Sequence, residues 1–253
     1  MSVMPSVFIG HGSPMNALES NPYTQAWQSL AATLPRPRAI LAVSAHWTTR
    51  GTRITAMPAP PTIHDFGGFP PALHALQYPA PGDPALARRI ADMLAPIPVA
   101  LDQEWGLDHG TWSVLVHLYP NADIPVLQLS VDGTQPPEYQ LEIGRRIGAL
   151  RDEGVLVFGS GNIVHDLRVF RGNVPGAAEA AAGGEVRISD ALAQRDDASL
   201  AQFATSGAVP NLRPDEHYWP VLTIAGTRRP DDGIAFPVRG TQPGMSMLAV
   251  RFG

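Results

Sequence analysis

The chain has 253 residues, with 18 Lys/Arg against 23 Asp/Glu, 44% hydrophobic and 16% charged residues, and no cysteine. A length and composition of this kind, without a linker-like or low-complexity tract, suit one globular domain over residues 1–253. The net charge of −5 and the lack of any Lys/Arg cluster larger than a pair exclude a nucleic-acid surface. Without cysteine, disulfides, thiolate metal sites and a thiol nucleophile are excluded, so a transition-metal site has to use nitrogen and oxygen ligands. No run reaches membrane-spanning length and no basic-plus-apolar leader opens the chain, so a soluble cytoplasmic protein with no membrane partner is expected.

Ser6-Val-Phe-Ile-Gly10 reads as a strand entering the turn Gly10-His-Gly-Ser-Pro14. Asn21 caps a helix from Pro22 to about Leu34, with Ala26, Trp27, Leu30 and Leu34 on its apolar face. The apolar, partly β-branched run Ala39–Trp47 is a strand buried on both faces, and it delivers His46 at its carboxyl end. From Thr48 to Pro81 the chain is mostly loop, with a short strand at Ile54–Met57 and a short helix near Ala72–Leu76. A helix from Pro84 through Leu94, a strand at Ile97–Leu101, a helix entered by Asp108-His-Gly-Thr-Trp112 and a strand at Ile124–Leu129 follow. Pro136–Arg151 is an amphipathic helix stopped before Gly154, and Val155–Ser160 a buried strand. The Ala/Gly-rich stretch Gly176–Gly184 reads as a mobile loop, Val186–Phe203 as a helix, Pro214 to about Ala225 as the last helix, and Met245–Phe252 as a closing strand. Alternation of strand and helix predicts a three-layer α/β domain, its central sheet mainly parallel or mixed and flanked by helices. Neither GxGxxG nor GxxxxGK[ST] occurs, so no phosphate-cradling loop is present.

Open α/β sheets bind ligands in the crevice at the carboxyl ends of their strands. His11 and His46 both arrive there, and His165 follows a strand and glycine turn of the same kind, Gly159-Ser-Gly-Asn-Ile-Val-His165. Imidazole is the commonest metal ligand, so the first two are candidate ligands, and His165 is a further ligand or an unligated acid/base. His217 sits beside Glu216 at a helix start, where only one of two adjacent side chains can point inward, which leaves a His/His/His or a His/His/Glu site. His109 is read as a pocket wall, His64 as a substrate contact on a covering loop, and His74 and His117 as structural.

The runs Gly10–Pro14, Val43–Trp47, Ile63–Phe69, Tyr78–Gly82, Asp108–Trp112, Gly159–His165 and Glu216–Tyr218, in that order between Val7 and Phe252, resemble the DOPA 4,5-dioxygenase type of class III extradiol ring-cleaving dioxygenases. The resemblance implies a mononuclear non-haem iron(II) enzyme, sometimes found with zinc(II), acting on a small aromatic catechol substrate with O2. It puts His11, His46 and His217 on the family's metal ligands, His165 on a histidine described as active-site base or additional metal contact, and His109 on a second-sphere histidine lining the substrate pocket. Between Phe170 and Pro214 this chain departs from the family, with Ala/Gly-rich sequence and Asn211-Leu-Arg in place of an aromatic-rich helix and a further histidine. Three nitrogen or oxygen ligands on one face also suit iron(II) oxygenases by residue type alone. The rival readings are a zinc-dependent hydrolase, weakened by the lack of an HExxH helix, and a non-catalytic binding protein on the same scaffold. Sequence leaves the substrate catechol and a homodimer open.

Overall fold

The computed structural model describes residues 3–166, 176–206, 216–242 and 244–253. Its centre is an eight-stranded mixed sheet of order β4-β3-β5-β2-β6-β1-β10-β7. In chain order the strands are β1 (Ser6–Gly10), β2 (Ala39–Thr49), β3 (Thr52–Thr55), β4 (Val99–Asp102), β5 (Val126–Asp132), β6 (Val155–Gly161), β7 (Ile234–Val238) and β10 (Ala249–Phe252), with β8 (Thr241–Gln242) and β9 (Met245–Ser246) forming a separate ribbon. The middle strands β5, β2, β6 and β1 are mutually parallel, while β3 joins β5 and β10 joins β1 antiparallel. Parallel strands need both faces covered, and their side chains alternate between two buried clusters. Val7 and Ile9 of β1, Ile40 and Ala42 of β2, and Leu156 and Phe158 of β6 pack on one side, with Trp27 and Trp112. Phe8, Leu41, Val43, Val155 and Val157 pack on the other, with Leu86 and Leu222.

The helices that cover the first side are α1 (Pro22–Thr33), α2 (Pro71–Ala75) and α4 (His109–Leu118); those on the second are α3 (Pro84–Met93), α5 (Pro137–Ile147), α6 (Ala177–Gln194), α7 (Asp197–Ser206) and α8 (Trp219–Gly226). Helix α1 starts as expected, with Pro22 at its first position and the Asn21 side chain accepting from the main-chain N–H of Thr24, 3.1 Å away. Among the described residues, no helix is long and apolar enough to cross a membrane.

Several expectations are corrected. Gly176–Gly184 is not a loop beyond its first residue: Ala177 begins α6, because the alanines of this stretch are strong helix formers and Ala177, Ala181 and Gly184 are buried, where small side chains permit close packing. The helix expected over Val186–Phe203 is interrupted at Arg195, whose left-handed φ of 58° separates α6 from α7. The long helix to Arg151 tightens at Gly148 into a 3-10 segment, Gly148–Glu153, and the closing strand divides into β9 and β10. Residues 170–175 and 207–214 of the divergent segment, with Asn211 and Pro214, lie outside the described residues.

Candidate metal centre

Five imidazoles from five parts of the chain meet at the carboxyl end of the parallel strands. His11 directly follows β1 and is buried. His46 lies inside β2 where its register against β5 slips: Val43 faces Leu129 and Thr48 faces Val131. The extra residues on β2 form a bulge, the device that re-aims a strand side chain, so His46 is turned by an irregularity and not by the end of the strand. His165 follows β6, linked to Met245 by an isolated bridge. His217 occupies the 3-10 turn Glu216–Tyr218 ahead of α8. That turn can press on β6 because residue 161 is glycine: a Cβ there would lie 2.1 Å from the His217 carbonyl oxygen, which accepts from the Asn162 main-chain N–H at 2.9 Å. His109 is the first residue of α4, whose N-cap is Asp108.

The ring centroid of His11 is 5.0 Å from that of His46 and 5.4 Å from that of His217, and His46 and His217 are 4.8 Å apart. His109 lies 3.8 Å from His46, and His165 stacks on His217 at 3.6 Å with only 12° between the planes. Ligand nitrogens of His11, His46 and His109 lie within 4.8 Å of one another. Of the two alternatives left by sequence, the inward side chain is His217, 5% exposed, against 55% for Glu216.

A hydrogen bond fixes where the His11 proton sits. The Ser160 hydroxyl donates to the Gly110 carbonyl, so towards His11 Nδ1, 2.9 Å away, it can only accept. His11 therefore carries its proton on Nδ1 and its lone pair on Nε2. On His46, Nδ1 faces the Asp65 carboxylate at 3.6 Å, which favours the same tautomer. Nε2 of His11 and Nε2 of His46 are 3.1 Å apart: in the Nδ1–H tautomer of His46 two lone pairs face each other, and in the other tautomer a His46 proton lies between them. Two lone pairs repel at that range unless a cation or a proton lies between them. Two nitrogens sharing one ion with bonds of roughly 2.1 Å are separated by about 3.0–3.4 Å, depending on the angle at the metal. Burial, and after it the charges of the neighbouring imidazoles, hold both His11 and His46 well below the ordinary histidine range, so both are neutral ligands near pH 7. The donor set fits a divalent transition metal.

Residues 5–206 match the family described as "Catalytic LigB subunit of aromatic ring-opening dioxygenase". The chain belongs to that family. It is 50% identical to a protein of Escherichia coli (strain K12) named 4,5-DOPA dioxygenase extradiol, over 99% of this chain and 95% of the relative, and 35% identical to a Beta vulgaris protein of the same name over 89% and 87%. Its fold matches the crystal structure of an uncharacterized protein from Escherichia coli K12, with a TM-score of 0.81 and 44% identity, covering 99% of this chain and 100% of the other. As a ring-opening dioxygenase the chain is a metal-dependent enzyme, and its mixed sheet and imidazole cluster accord with the resemblance read in the sequence.

The other sequence candidates fall outside the cluster. His64 Nε2 donates to the Leu76 carbonyl at 2.9 Å, and its ring packs 5.5 Å from Trp112. His74 sits 5.0 Å from the Phe66 ring, nearer the pocket loop than its helical position suggested. His117 bonds the Asn16 carbonyl at 2.8 Å, a purely local tie. Sequence reading passed over three supports of the site. Ser160 sets the His11 tautomer. Asp108, fully buried, accepts from Ser44 at 2.6 Å and Gln128 at 2.7 Å while capping α4, and burial followed by the Asp65 charge raises its pKa against those bonds. Asp65 reaches both His46 and His109. All three lie in the quoted motif runs, Asp65 and Asp108 directly beside a histidine and Ser160 in the glycine turn that leads to His165.

Proposed function

We propose that residues 1–253 form one catalytic domain that opens the ring of a DOPA-like catechol by extradiol cleavage with O2, at an iron(II) held by His11, His46 and His217. The 3.1 Å approach of His11 Nε2 and His46 Nε2 is the observation on which this reading rests. The E. coli and Beta vulgaris relatives named for DOPA support the substrate class. Held by these residues, iron(II) would supply electronic contact between the catechol and O2.

The remaining chemistry falls to the side chains. His109, beside His46 and tied to Asp65 through its main-chain N–H, is positioned to take a proton from a catechol hydroxyl and return it during ring opening. An imidazole offers its lone pair in the plane of its ring, and the nearly parallel stacked planes of His165 and His217 cannot both contain one ion. In this reading His217 binds the metal and His165 handles a second proton; His165 becomes a ligand only where it replaces His217. Phe66, 5.4 Å from the His109 ring, gives the aromatic substrate an edge to pack against, and His64 serves substrate binding by anchoring the loop that carries Phe66.

The grouping of His11, His46 and His109 nitrogens within 4.8 Å favours a second reading in which His109 is the third ligand. Metal affinity of His109→Ala and His217→Ala separates them, since removal of a true ligand weakens binding more. The decisive experiment is anaerobic reconstitution with iron(II) or zinc(II), followed by O2 uptake on L-DOPA and the absorbance of a yellow semialdehyde product. Uptake with iron alone is expected; equal uptake with zinc alone contradicts an iron dioxygenase, and hydrolysis by the zinc form without uptake returns the hydrolase reading.

A further inference from the structure

Asp65 lies on the long loop between β3 and α2, outside the set of residues singled out in the sequence. Its main chain is exposed, yet its carboxylate turns inward and its side chain is only 17% exposed. Oδ1 is 3.0 Å from Nδ1 of His109 and accepts the His109 main-chain N–H at 2.9 Å; Oδ2 is 3.6 Å from Nδ1 of His46. The cap of α4 is already supplied by Asp108, so helix capping does not require Asp65. One carboxylate places negative charge 3.0 and 3.6 Å from two imidazole Nδ1 atoms, close contacts and not formed hydrogen bonds, and that charge favours the Nδ1–H tautomer of both rings, with the lone pair on Nε2. Carboxylate partners of this kind orient metal-binding histidines and raise their basicity.

We propose that Asp65 is a positioning residue that sets the tautomer and the orientation of His46 and His109 together. The inference rests on the metal-centre reading of the previous subsection. Because the same loop carries Phe66 on the next residue, the aromatic wall of the pocket and the metal-binding edge of His46 are set by one anchor. A loop that shifts away from the site would release a ligand ring and a proton-handling ring at once.

The test compares wild type, Asp65→Asn and Asp65→Glu in titrations with cobalt(II), reading the dissociation constant and the visible absorption of the bound ion, with thermal unfolding of the metal-free proteins alongside. Asparagine keeps one oxygen to accept the His109 main-chain N–H but presents N–H groups to the second imidazole. Asp65→Asn is expected to bind cobalt(II) about 10–100-fold more weakly, with an altered spectrum and an unchanged metal-free unfolding temperature, and Asp65→Glu to recover part of the loss. Once saturated with iron, Asp65→Asn is expected to lose kcat more than KM for L-DOPA. Wild-type affinity and spectrum retained in Asp65→Asn overturn the proposal. Failure of wild type to bind cobalt(II) overturns the metal centre itself, a different outcome. Should Asp65→Asn not fold, long-range proton–nitrogen NMR on zinc-loaded wild type decides: Nδ1-protonated His46 and His109 support the proposal, and an Nε2-protonated His109 overturns it.

Discussion

The two ends of the parallel strands bury polar groups in opposite ways. At the amino end, Arg151 is fully buried, and every one of its contacts is complementary: Nε to the Met4 carbonyl at 2.7 Å, Nη1 to the Thr227 carbonyl at 2.9 Å, and both terminal nitrogens to the Asp232 carboxylate at 2.6 and 2.8 Å. That cation ties the segment before β1, the 3-10 turn before β6 and the chain following α8 into one junction. At the carboxyl end, five imidazoles crowd together, with the neutral His11 and His46 bringing their Nε2 atoms to 3.1 Å. A satisfied buried ion is part of the scaffold; a set of converging donors that needs a cation is a site. The same sheet supplies rigidity at one end and chemistry at the other.

Breaking the carboxyl end is expected to remove function and leave the fold. His11→Ala or His46→Ala takes away a proposed ligand, so metal affinity falls by more than the ~100-fold that an outer-shell change costs, and ring cleavage drops to background. Metal titration and O2 uptake read this, with metal-free unfolding curves close to wild type. Breaking the amino end is expected to do the reverse. Arg151→Met strands the Asp232 carboxylate and several carbonyls in a dry junction and costs about 3–5 kcal/mol by chemical denaturation, with kcat per folded molecule unchanged. Equal loss of activity per folded molecule in both variants would erase the contrast between the two ends.

A residue that serves both is Asp108, which holds α4 and the first residue of that helix is His109. Asp108→Ala is expected to cost about 1–2 kcal/mol through the lost cap and to lower kcat modestly, as measured by denaturation and steady-state rates. The smallest effect concerns acid. Burial alone would raise the Asp232 pKa, but the hydrogen bonds and charge of Arg151 and the Arg229 main-chain bond outweigh it and hold the carboxyl below its ordinary value. A carboxyl whose folded pKa is depressed contributes stability that is present above its unfolded pKa of about 3.8 and is lost as pH falls through the lower folded value. Asp232→Asn is therefore expected to flatten the fall of stability below about pH 4 in acid-unfolding curves, and an unchanged slope would show that the junction is not acid-sensitive.

The strands that carry His11 and the chain before His165 were legible because uninterrupted apolar runs between turn residues leave little else for the backbone to do. The first turns of the helix Ala177–Gln194 were not, since Gly183 and Gly184 signal a loop by local propensity, while burial of Ala177, Ala181 and Gly184 holds the segment as helix. Likewise β2 continues three residues beyond His46, and the bulge that aims that ring depends on pairing with β5, which lies more than seventy residues later in the chain. Ser160 and Asp65 act through a single hydrogen bond or a carboxylate distance, and neither leaves a periodic trace.

By itself, then, the sequence determined the layered α/β class, the absence of sulfur ligands and the list of histidines that end near strand termini, because periodicity, composition and residue type are local properties. The inward turn of His217 in place of Glu216 and the approach of the two Nε2 atoms were decided only by tertiary structure. Those facts belong to pairs of groups remote in the chain, and a pair has no signature until the fold brings its members together.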